Sequence, residues 1–181
     1  MELNEATNRK LKQRLLTIRI RKVIAMKELQ SELFSNLAIP EDEDFGLYET
    51  VPKGFDNEVS LFISKETITN DTALKKAGEF FDKAVYWNTY CRKLFIENSA
   101  DSDVVGYFEF FEEEVPEVFE AYKTKALTLA DKVNLLQFKG MASHGFRDEQ
   151  TFVVDFTLGY DQILCVEFHS DFEYSNIAWE S

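Results

Sequence analysis

The chain has 181 residues, 33 Asp or Glu against 20 Lys or Arg, and a formal net charge of −13. That length suits one domain with its own core, without help from disulfides or metals. The 26 aromatic residues, 17 of them Phe, argue for a packed interior and against disorder. No apolar run reaches 18 residues, which excludes a transmembrane helix from the expectation. The charge is uneven. Residues 1–35 hold eight Lys or Arg against four Asp or Glu, and residues 36–181 hold 12 against 29, a net of −17. Such a body repels nucleic acid and anionic membrane, and it supports either a basic partner or solubility alone.

Residues 4–37 are rich in Leu, Lys, Arg, Glu and Ala and contain no Gly or Pro, a helical composition. Leu11, Leu15, Ile18, Met26, Leu29 and Leu33 fall on one face of that helix, and Leu16, Ile20, Val23 and Phe34 nearly opposite. A helix apolar on two sides needs cover on two sides, from the domain or from a second protomer. Alternation over 16–23 leaves a strand there as the other reading. Pro40 ends the segment. The organisation expected is a helical arm over 1–37 and a single domain over 38–181.

Glu41, Asp42, Glu43 and Asp44 form an acidic connection. Gly46 to Val51 reads as an edge strand, and Pro52 to Gly54 as a turn. In 58–65, Val59, Leu61 and Ile63 alternate with Ser60, Phe62 and Ser64, a strand signature. Asn70 or Asp71 is placed to cap a helix. Ala77, Phe81, Ala84, Val85, Asn88, Cys91 and Phe95 then recur at helical spacing through to 96. A second helical region covers 104–131, with Pro116 starting or kinking a helix and a short turn over 125–131. Four apolar runs, 133–139, 151–158, 163–168 and 176–179, predict a closing antiparallel meander, with turns at His144-Gly145 and Gly159 to Asp161. The fold class expected is α+β: an antiparallel sheet of about five strands, from 58–65 and 133–180, covered on one face by helices, plus the long N-terminal helix.

Chemistry is sparsely signalled. His144 and His169 are the only histidines, and no zinc-type spacing or glycine-rich phosphate loop occurs. His169, Asp171 and Glu173 lie close together but read as a solvated loop. Cys165 and His169, four apart on one strand, are about 13 Å from each other and form no dyad. Cys91 and Cys165 sit in apolar runs and are expected as free buried thiols of a cytoplasmic protein. No catalytic residue, metal or cofactor is expected. The candidate binding residues are three acidic groups: Glu41 to Asp44; Glu112, Glu113 and Glu114 with Glu117; and Asp171 with Glu173.

Asp161-Gln-Ile-Leu-Cys-Val-Glu-Phe168 and the ending Ile177-Ala-Trp-Glu-Ser181, with Asn57-Glu-Val-Ser-Leu-Phe-Ile63 and two helices before them, resemble a bacterial family of small acidic proteins. It is catalogued as domain of unknown function two-thousand-and-four, and the resemblance covers residues 45–181. It implies a small accessory domain and transfers no catalytic residue. By analogy, the expected role is that of an immunity protein, an acidic chain that neutralises a basic toxin, such as a nuclease, by covering its active site. A homodimer or scaffold assembled through the N-terminal helix is the alternative. A hydrolase using His169 and nearby carboxylates is the third reading.

Overall fold

A computed structural model describes residues 25–122, 126–146 and 149–181. Their centre is a six-stranded sheet in the order β3-β4-β5-β6-β7-β8. Its strands are β3 (Phe45–Thr50), β4 (Val59–Ser64), β5 (Gln137–Phe146), β6 (Glu149–Gly159), β7 (Gln162–Phe168) and β8 (Tyr174–Glu180). Every neighbouring pair is antiparallel except β4–β5, which is parallel. The sheet is therefore mostly antiparallel rather than wholly so. The cause is the helical excursion between the two strands, since only a long crossover lets a chain re-enter a sheet in the same direction.

That excursion holds α1 (Lys65–Thr69), α2 (Asp71–Phe81), α3 (Ala84–Glu97), α4 (Ser102–Glu113), a 3-10 segment η1 (Pro116–Tyr122) and α5 (Leu129–Leu135). Asn70 caps α2 as expected, its side-chain oxygen accepting from the N–H groups of Thr72 and Ala73. The continuous periodicity over 71–96 is divided into two helices at Asp82 and Lys83. The α2 end is secured by Trp87, whose indole N–H donates to the Phe80 carbonyl at 2.9 Å. Pro116 opens η1 instead of kinking a longer helix. Residues 133–135, read as strand, belong to α5, because Thr128 and Asp131 form a capping box that starts a helix at Leu129. Arg92 of α3 then donates to the Val133 and Leu136 carbonyls at its far end. His144 and Gly145, read as a turn, lie inside β5. The turn after β6 is as expected, with Tyr160 and Asp161 both at positive φ, the geometry of a tight hairpin.

The helices cover one sheet face. Val59, Leu61 and Ile63 of β4 and Phe152, Val154 and Phe156 of β6 point into that layer and are fully buried. Phe80 is its hub, stacked on Phe152 at 4.5 Å and Trp87 at 4.9 Å, with Phe168 at 5.7 Å. Burying rings of this size supplies most of the driving force for the layer.

The helical reading of the N-terminal region needs correction where it is described. Met26–Leu29 is a strand, β1, paired antiparallel with β2 (Leu37–Pro40). Leu29 and Ile39 face the core and are fully buried, while Phe34 packs edge-on against Phe81. The boundary drawn at 37/38 falls inside this hairpin. Ser35 adopts φ 65°, which a continuing helix does not accommodate. Asp82 fixes the loop, accepting from the Ser31 hydroxyl at 2.6 Å and the Leu33 N–H at 3.1 Å. Gly78 lets the hairpin lie directly on α2, because a Cβ there would stand 2.3 Å from the Gln30 carbonyl oxygen. The part of the expected helix at 1–24, including the strand alternative at 16–23, lies outside the described residues.

Candidate functional site

The three acidic groups sit on different parts of the fold. Glu41 to Asp44 joins β2 to β3, an edge strand. Glu41 lies 3.2 Å from the Lys27 ammonium, and Asp44 accepts from Lys65 at 2.7 Å, which lowers the Asp44 pKa. Glu43 is exposed and Asp42 also has a partner. Glu112, Glu113 and Glu114 close α4, which packs on β7 and β8 at the opposite edge, roughly 24 Å across the sheet. Glu112 is bound by Lys132 at 2.6 Å, Glu113 and Glu114 are exposed, and Glu117 accepts from the Tyr160 hydroxyl at 3.0 Å. Asp171 and Glu173 occupy the β7–β8 turn, where the Asp171 carboxylate accepts from the Glu173 N–H. Tyr160 and Asp171 flank opposite ends of β7, so the second and third groups are separated by the length of that strand.

Only the first group joins a wider acidic surface. Lys27 on β1 bridges Glu41 and Asp71, the first residue of α2, at 3.2 and 2.6 Å. Its pKa is raised, first by the hydrogen bond to Asp71 and then by that to Glu41. Further along the same hairpin and helix, Glu28, Glu32, Glu79 and Asp82 line a cleft of about 710 Å³ with Gln30 and Asn36. Lys75 is its one basic lining residue among the described residues, 3.8 Å from Glu79. None of these four carboxylates stands out in the sequence. They come from two segments some fifty residues apart, brought together by the contact at Gly78.

The sheet face away from the helices carries the other concentration of unusual side chains. Phe45, Phe62 and His144 stack across β3, β4 and β5, with ring centroids 5.6 and 5.0 Å apart. Burial lowers the His144 pKa against the opposing pull of Glu180 and Glu167, leaving a neutral ring at pH 7. Asp155 stands opposite Cys165 in the β6–β7 pair. Its carboxyl, partly accessible yet hemmed in, is pushed up to about 6, first by desolvation and then by the charge of Glu180. Burial pushes the Cys165 thiol up to about 12, so it is no nucleophile at neutral pH. Cys91 is also a free buried thiol. His169 is exposed at the end of β7, its backbone N–H donating to the Glu173 carbonyl.

Among the described residues no cluster of three or more His, Cys, Asp or Glu side chains is placed to hold a metal ion. No described helix is long and apolar enough to cross a membrane. Comparisons with family models, with curated proteins and with solved structures each found no match to the chain.

Proposed function

We propose that the chain is a non-catalytic binding protein that covers a basic protein partner with acidic surface, in the manner of an immunity protein masking a toxin. The observation that carries this reading is the cleft between the β1–β2 hairpin and α2, where four carboxylates face one ammonium. Its volume lies in the range of sites that take a ligand or the side chains of a docked chain. Lys27, Glu41 and Asp71 extend the same surface toward β3. Complementary charge of this kind raises the association rate and rejects acidic competitors. The kinship of residues 45–181 with small acidic bacterial proteins is part of the proposal. So is a reducing, cytoplasmic setting, which suits two free buried thiols.

The test is capture from the native host at low and then moderate salt, with the retained proteins identified by mass spectrometry. A single basic partner, weakened by salt, is expected. Glu32→Lys combined with Glu79→Lys is expected to slow its association by roughly tenfold or more. A partner indifferent both to salt and to the double reversal would remove the proposal, as would recovery of this chain alone.

A further inference from the structure

The outer face of the sheet is chemically unfinished. Phe45 and Leu47 are 50% and 57% exposed there, and Phe62, Val153 and Ile163 share the face with them by strand register. Glu49, Asp155, Glu167 and Glu180 also project from it, and none of them has a basic partner among the described residues. Among the residues of these six strands the one Lys or Arg is Lys139, exposed at the β5 bulge between Phe138 and Gly140. Every described helix packed on the sheet lies on the other side, against Phe152, Phe156 and their neighbours. Yet Cys165 and Ala142, both outward-pointing, retain only 1% and 6% of their surface. The Asp155 carboxyl beside Cys165 is desolvated as well.

The chain outside the described residues supplies a match. Residues 1–24 carry seven Lys or Arg against two Glu, a net of +5. Leu11, Leu15, Leu16, Ile18, Ile20 and Val23 are interleaved with those cations. The segment joins the fold at the right place. The Ala25 carbonyl accepts from the Glu41 N–H at 2.9 Å, and four residues after Glu41 the chain enters β3 at Phe45, on the outer face. Reach is sufficient: six strands span roughly 24 Å, and 24 residues span about 36 Å even at the short rise of a helix.

We propose that residues 1–24 dock on the outer face of their own chain's sheet, seating their Leu and Ile side chains on the Phe45–Phe62–Val153–Ile163 surface and their cations against Glu49, Glu167 and Glu180. This surface lies across the sheet from the helices and is separate from the acidic cleft, so the arm and a basic partner occupy different sites.

The test uses the full chain. A zero-length carbodiimide, which joins a carboxylate to a lysine amine, is applied to a mixture of unlabelled and nitrogen-15-labelled protein. Linkage of Lys10, Lys12 or Lys22 to Glu49, Glu167 or Glu180 is expected, with both peptides carrying the same label. Peptide-resolved alkylation supplies the second measurement. Ile18→Asp with Ile20→Asp is expected to accelerate modification of Cys165 roughly tenfold, with Cys91 unchanged on the far side of the sheet as the control for global opening. Arg19→Glu with Arg21→Glu is expected to act in the same direction. Mixed-label links would overturn the proposal in favour of a second copy on this face. Absence of these links, together with a Cys165 rate indifferent to both double variants, would overturn it outright.

Discussion

Asp155 and Asp44 show how two carboxyls in one acidic protein acquire opposite pH dependences. Asp44 is exposed and held below its ordinary pKa by Lys65, so its small contribution is present above that ordinary value and lost as pH falls through the depressed one. Asp155 is the reverse. Its folded pKa of about 6 stands above the ordinary 3.8, so its contribution is complete below pH 3.8 and lost as pH rises through 6. Asp155→Asn removes the charge that must be kept out of water. Relative to the wild type, the variant is expected to gain roughly 1 to 3 kcal/mol of stability between pH 4 and pH 8. Urea denaturation of both proteins at the two pH values measures it. An unchanged difference would mean that the carboxyl is well solvated. Nothing in the sequence marks Asp155, because its position opposite Cys165 and near Glu180 depends on the register of three strands.

At the scale of elements, legibility followed the strength of the local period. β4, β6 and β7 were readable because two-residue alternation or a continuous apolar run leaves few choices, and Asn70 announced α2 through its cap. The hairpin at 26–40 was misread because Leu29, Leu33 and Phe34 satisfy helical spacing and also fit a short strand followed by a turn. What decides between them is tertiary: the Asp82 carboxylate gathers the loop, and Gly78 gives it a seat. Gly78→Ala is therefore expected to displace the hairpin and destabilise the protein by roughly 1 to 3 kcal/mol, against the small gain Ala brings to a free helix. Thermal denaturation gives the loss, and hydrogen exchange should show it concentrated in residues 26–40. A more stable variant would show that the hairpin yields easily. β5 extends past the apolar run at 133–139 because Gly140 allows the parallel pair, since a Cβ there would stand 2.9 Å from the Ser60 carbonyl oxygen.

For the whole molecule, composition foretold an acidic body but not its distribution. The acidic runs visible in the sequence end up at separate corners, because 41–44 feeds one sheet edge and 112–117 packs at the other. The cleft that gathers charge uses isolated carboxylates whose meeting depends on the hairpin. The acidic cleft and the outer face of the sheet also answer to salt differently. Raised ionic strength is expected to weaken a partner held at the hydrated cleft, whereas an arm seated on Phe45 and Phe62 keeps its apolar contacts.

The parallel join between β4 and β5 has a kinetic consequence. Ile63 lies opposite Ser143, 80 positions further on, while β5 to β8 pair with their immediate successors. The C-terminal meander can therefore assemble through short closures, and the β3–β4 hairpin joins it only after the helices between have been gathered in. Substitutions that weaken the β6–β7 pairing should slow refolding. Those that weaken β3 should chiefly hasten unfolding, a division that stopped-flow chevrons would reveal. During synthesis the two halves meet late, so the β4 edge waits unpaired until the last quarter of the chain has been made.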